Sequence, residues 1–157
     1  MADLILFTDG SVNPESNIGY GAYLAVPEGT QASDVQKSCV KVKRFERTSS
    51  TKLELQTLLW ALSDVPAQGV KVMVYTDSQN IMGLPGRREK FEHNDYRSKK
   101  NRHIRNFKLY QEFYEIMDQL DCEFVKVRGH TSRNQKNAVE KLFTFVDRAS
   151  RSALRNE

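Results

Sequence analysis

A chain of 157 residues, 39% hydrophobic and 28% charged, has the length of one domain, enough to bury about two-thirds of its unfolded surface in a single core. Its apolar runs fall well short of the ~20 residues that a membrane span needs. The opening MADLILFTDG carries no basic leader and is not expected to be a signal peptide. Two cysteines, Cys39 and Cys122, outside any Cys/His cluster, exclude a disulfide framework and a zinc site and point to a reducing, cytoplasmic compartment. The net charge of +4 is local, because Arg87 to Arg105 holds eight Lys/Arg against three Asp/Glu. With Phe91 and Tyr96 inside it, and Phe107 and Tyr110 following, such a segment suits a nucleic-acid surface. A solvated loop has the same composition.

The first element is Leu4-Ile5-Leu6-Phe7, continuously apolar as in a central strand covered on both faces. It closes on Thr8-Asp9 and is expected to end at Gly10-Ser11. Alternation in IGYGAYLAV and again around Val40 and Val42, separated by Pro27-Glu28-Gly29, predicts two further strands in an antiparallel meander. From Ser50 the period becomes 3.6, with Leu55, Leu58, Leu59 and Leu62 on one stripe until Pro66 and Gly69. Val70, Val72 and Val74 then form a strand that closes on Thr76-Asp77 and, after a helical crossover, runs parallel to its neighbour.

Leu84-Pro85-Gly86 is expected to open a loop or short helical segment holding the basic stretch, a projecting region of about residues 85–106. Tyr110, Phe113, Tyr114 and Met117 mark a second long helix, and Phe124, Val125 and Val127 a fifth strand. After a polar loop, Val139, Leu142, Phe143 and Val146 begin a C-terminal helix. The order implies an α/β fold: one domain over 1–157 whose mixed five-stranded sheet, three strands antiparallel and then two parallel, is flanked by helices.

Asp9 and Asp77 thus leave similar strands at one sheet edge, where open α/β sheets place their chemistry. Each alone has a plainer explanation, Asp9 in an Asp-Gly turn and Asp77 beside a Ser78 helix cap. Glu54, in the first turns of its helix, is by itself a solvated glutamate. Asp147 has Arg151 four residues on as a surface partner. Glu140 lies seven residues before Asp147, ~10 Å along the helix axis, so only one of the two joins a compact site. Carboxylates without a Cys or His cluster select Mg²⁺, or Mn²⁺ as a substitute.

Taken in order, LFTDGS, the Glu54 of KLELQTLLWAL, VYTDSQ, VRGHT with His130, and VDRAS with Asp147 resemble type 1 ribonuclease H over nearly the whole chain. The resemblance implies the ribonuclease H-like fold and hydrolysis of the RNA strand of an RNA/DNA hybrid, with 5′-phosphate and 3′-hydroxyl ends and two metal ions per site. It implies Asp9, Glu54, Asp77 and Asp147 as metal ligands and His130 as a proton carrier or aid to product release. Rigid family spacing from His130 would instead select Glu140, but Val-Asp-Arg followed by small residues matches the family helix better. Ser49, Ser50 and Thr51 stand where the family often carries amides. Ser11, Asn13, Ser50, Thr51 and Gln79 are the candidates for reading RNA 2′-hydroxyls, and Arg97, Lys99 and Lys100 for holding phosphates. The expected partner is the hybrid, with no membrane and no obligate protein partner, so a monomer. The competing expectation is a catalytically silent or differently specialised nucleic-acid-binding module of the same fold.

Overall fold

Central position in a five-stranded sheet explains the apolar run of the first strand. The computed structural model describes residues 2–128 and 137–157. In these, β1 (Leu4–Asn13), β2 (Ile18–Pro27), β3 (Lys41–Phe45), β4 (Lys71–Thr76) and β5 (Asp121–Lys126) form one sheet in the order β3-β2-β1-β4-β5. Helix α1 (Ser50–Asp64) crosses from β3 to β4, α2 (Gln79–His93) and α3 (Phe107–Gln119) connect β4 to β5, and α4 (Ala138–Arg155) follows β5. The β1–β2 and β2–β3 pairs are antiparallel, and the β1–β4 and β4–β5 pairs are parallel. This is the mixed sheet expected from the sequence.

Successive residues of β1 serve opposite layers. Leu6 joins Leu55, Leu58, Val74, Ile81 and Phe113 beneath α1, α2 and α3, whereas Phe7 joins Leu24, Leu142, Phe143 and Val146 beneath α4. Burying each such side chain contributes about 1.5–3 kcal/mol, so both helical layers are anchored chiefly by these contacts. Among the described residues no helix is long and apolar enough to cross a membrane.

Three local expectations change. β1 does not end at Gly10-Ser11 but continues to Asn13, because its ladder with β2 persists from Leu4↔Pro27 to Asn13↔Ile18 after the β4 pairing has stopped at Phe7↔Tyr75. Of the two alternatives for the start of the basic stretch the helical one holds, in a helix longer than expected, since α2 runs from Gln79 through Pro85 to His93. There the Arg87 side chain donates to the carbonyls of Asn80 and Gly83 at 2.6 and 3.3 Å, and the Tyr114 hydroxyl donates to that of Leu84 at 2.6 Å. These bonds tie the proline-containing turns to their surroundings; the carbonyl that the missing Pro85 N–H leaves open is that of Ile81. Finally, Val127 lies just past β5, buried, with its N–H donating to the Thr76 carbonyl.

Candidate active site

The end of the β1–β4 pairing creates the rim on which the acids meet. Continuing the register beyond Phe7↔Tyr75 sets Asp9 level with Asp77, but Asp9 is still held in the β2 ladder opposite Ala22, while Asp77 has left β4. Asp9 therefore sits mid-strand on a rigid frame, which excludes the Asp-Gly turn. Phe7, Asp9 and Ser11 alternate onto the layer of α4. The Ser11 and Ser150 hydroxyls are 3.1 Å apart, and the Ser150 hydroxyl also donates to the Asp147 carbonyl at 3.1 Å. Ser150 is completely buried. This chain of hydroxyls fastens the Asp147 turn of α4 to β1.

Glu54 arrives from the opposite layer. Its helix is capped by the Ser49 hydroxyl, which accepts the Lys52 N–H at 3.3 Å. The helix lies close to the sheet because β1 and β2 offer glycines beneath it. A Cβ at Gly10 or Gly19 would stand 2.9 or 2.7 Å from Leu53 Cδ2, and one at Gly21 would overlap the Thr57 hydroxyl. A side chain larger than hydrogen there would lift α1 and Glu54 with it.

Electrostatics ties the acids together. Burial first, then the charge of Asp77, then that of Asp147 and a side-chain hydrogen bond with it, push Asp9 up to about 8 against a Gly10 backbone hydrogen bond. Glu54 is raised by burial and by Asp77, opposed by a hydrogen bond from the Ser78 hydroxyl. Asp77, exposed on the rim, is raised by desolvation and then Asp147, while a backbone hydrogen bond, Arg151 and Lys126 pull it down. Asp147 itself forms an ion pair with Arg151 at 2.9 Å. Glu140 stands apart in the first turn of α4, with its N–H donating to the Asn137 cap at 2.8 Å and its Oε2 buried without a hydrogen-bond partner among the described residues. His130 lies outside the described residues.

The donor set is uniformly carboxylate, which suits a hard divalent cation that keeps some of its own water. Excess negative charge at the rim is what a cation would relieve. Among the described residues no three acid, histidine or cysteine side chains already converge as a closed cage, so the fit is one of chemistry and placement.

The remaining candidates lie on several elements. Asn13 ends β1 and accepts the Glu15 N–H at 2.9 Å, bracing the turn into β2. Ser50 and Thr51 open α1, with Ser50 exposed. Gln79 opens α2 immediately after the Ser78 cap, whose hydroxyl accepts the Ile81 N–H at 3.1 Å, and Gln79 Oε1 accepts from Lys126 Nζ at 2.7 Å. Beyond α2, Tyr96 is buried beside Phe91 although its φ of 55° is rare for an aromatic residue, so burial offsets local strain. Arg97 is tied to Asp95 at 3.5 Å and to the Asn101 carbonyl at 3.0 Å, while Lys99 and Lys100 are exposed. Sequence reasoning missed Ser150 and Lys126. Only Ser150 left a trace, as one of the small residues after Asp147.

The family model described as RNase H matches residues 1–153. The chain is 27% identical over 146 residues to a ribonuclease H of Caldicellulosiruptor saccharolyticus, a match covering 90% of this chain and 94% of that one. It is 25% identical to a ribonuclease H of Treponema pallidum, with 97% and 94% covered. Among solved structures, a foamy viral protease-reverse transcriptase in complex with dsDNA superposes with a TM-score of 0.69 over 96% of each chain, at 11% identity, a likeness of fold.

Proposed function

The chain belongs to the ribonuclease H family, and from that premise we propose that it is an endonuclease that hydrolyses the RNA strand of RNA/DNA hybrids with two divalent metal ions, Mg²⁺ before Mn²⁺, leaving 5′-phosphate and 3′-hydroxyl ends. Family and fold together support hybrid-directed nuclease activity; the ion count and the ends are our reading. The observation that carries it is the mutual action of Asp9, Asp77 and Asp147, contributed by β1, the end of β4 and α4. Charges so arranged are costly unless a proton or a cation joins them.

In this reading Asp9, Glu54, Asp77 and Asp147 would hold the metal. When bound, it would lower the pKa of a water and stabilise charge on the departing oxygen. The protein's own part is positional. Asp9 is fixed by the β2 ladder and Asp147 by the Ser150–Ser11 tie, while Ser78 steadies Glu54. Ser50, Thr51, Asn13 and Gln79 would contact the RNA strand. Lys99 and Lys100, with Arg97, would hold phosphates without reading sequence. His130 keeps the role of proton carrier that the family resemblance implies.

The test is a cleavage assay on RNA/DNA hybrid, single-stranded RNA, duplex RNA and duplex DNA, with and without Mg²⁺, followed by end analysis. Cutting confined to the hybrid and dependent on Mg²⁺ is expected. Binding of hybrid with no cleavage under any divalent ion would favour the silent module instead.

A further inference from the structure

Lys126 is the last residue of β5 and pairs in register with Thr76, so it reaches the rim one residue before the point where Asp77 leaves β4. Its Nζ donates to Gln79 Oε1 at 2.7 Å, and its charge is one of those that lower Asp77. It lies outside the basic segment of residues 87–105. Lys126 and Gln79 are both exposed, and a bond between two exposed side chains contributes little to folding.

The two groups are unequal in a way that matters for recognition. An ammonium offers only donors, whereas an amide has an accepting oxygen at one end and two N–H donors at the other. An untethered glutamine on a surface presents either end. With Oε1 engaged by Lys126, one of its two acceptor sites is filled and the amide is held in one sense, which leaves the two N–H donors as the end free to turn to a ligand. Such a group suits the oxygen of a 2′-hydroxyl or an acceptor on a base edge in the minor groove.

We propose that Lys126 is a positioning residue which, by holding Gln79 Oε1, orients the amide so that its NH₂ donors face the RNA strand. The assignment rests on the reading of Gln79 as a substrate contact in hybrid cleavage. It differs from a simple phosphate contact by Lys126, which would act independently of Gln79.

A double-mutant cycle on hybrid cleavage separates the two. Lys126→Met should raise KM about five-fold, the equivalent of one hydrogen bond, with a smaller change in kcat. Gln79→Ala should do about the same, and the double variant should be no worse than Gln79→Ala alone. Lys126→Arg, which keeps the charge and the donors, should restore KM. Equal losses from Lys126→Met in both backgrounds would overturn the assignment, as would failure of Lys126→Arg to rescue. If the unsubstituted protein cleaves hybrid and the losses add, only the role of Lys126 falls. If it does not cleave hybrid at all, the functional reading falls with it.

Discussion

Ser11 and Ser150, 139 positions apart in sequence, meet hydroxyl to hydroxyl at 3.1 Å between the central strand and the last helix. Because Ser150 also bonds the Asp147 carbonyl, the contact fixes where α4 presents Asp147 relative to Asp9. Ser11 was expected to read a 2′-hydroxyl, and its bond to Ser150 gives it a second use. Ser11→Ala should therefore lower kcat about five-fold through a displaced carboxylate while leaving KM within about two-fold. Ser150→Ala should do the same and cost about 1 kcal/mol of stability. Steady-state kinetics on the hybrid decide the point, and a change confined to KM would return Ser11 to the RNA strand.

Asp9 makes the metal-free protein sensitive to alkaline pH. Its folded pKa of about 8 lies above the ordinary value of 3.8, so the folded state holds the proton more tightly than the unfolded state. The group's stabilising contribution is complete below about pH 4 and is lost as pH rises through about 8. The loss is on the order of a few kcal/mol, at about 1.4 kcal/mol per pKa unit. Without divalent ions, Tm should fall between pH 6 and pH 9 in the wild type, and less in Asp9→Asn. Added Mg²⁺ should raise Tm more at pH 9 than at pH 6, because it favours the charged form. A wild-type Tm that follows Asp9→Asn across this range would contradict the account.

Close approach of α1 to β2 depends on Gly21. An alanine methyl there would overlap the Thr57 hydroxyl, which is itself buried without a hydrogen-bond partner among the described residues. Gly21→Ala should cost about 1–3 kcal/mol through overpacking and reduce activity, since Glu54 sits one helical turn from Thr57. Adding Thr57→Ala should recover at least half of both losses, because the obstructing hydroxyl is gone. Urea unfolding gives the energies, and strictly additive effects would show that the clash is not the cause.

The features legible in sequence were those set by burial over a few residues. Leu4 to Phe7 had to be covered on both sides, and Leu55, Leu58, Leu59 and Leu62 had to share a stripe. Hydrophobicity says nothing about where a ladder ends, however, and β1 runs on past its apolar segment because β2 continues to pair with it. Helix α2 was obscured by Pro85-Gly86, whose usual meaning as a break is overridden by tertiary packing: Ile81 and Leu84 are fully buried, and the Tyr114 hydroxyl bonds the Leu84 carbonyl. For the site, motif order made the acids visible one by one. Ser150 and Lys126 were not, because their significance depends on side chains brought together from distant elements.

The last helix offers two acids, and their surroundings differ in kind. Asp147 exerts its charge on both Asp9 and Asp77 and is paired with Arg151. Glu140 lies almost two turns earlier, in the capped first turn of α4. Asp147→Asn should abolish Mg²⁺-dependent cleavage and lower Asp9 from its raised pKa by removing one repelling charge. Glu140→Gln should retain at least about a tenth of the activity, since a neutral amide at a helix start disturbs packing and dipole by only about 1 kcal/mol. Arg151→Gln supplies an independent check. Losing the cation that pulls Asp77 down should leave the acids more negative, raise their proton affinity, and make metal-free Tm fall more steeply with pH. Loss of cleavage in Glu140→Gln alone, with Asp147→Asn active, would transfer the fourth place to Glu140 and leave the Asp147–Arg151 pair as a surface contact.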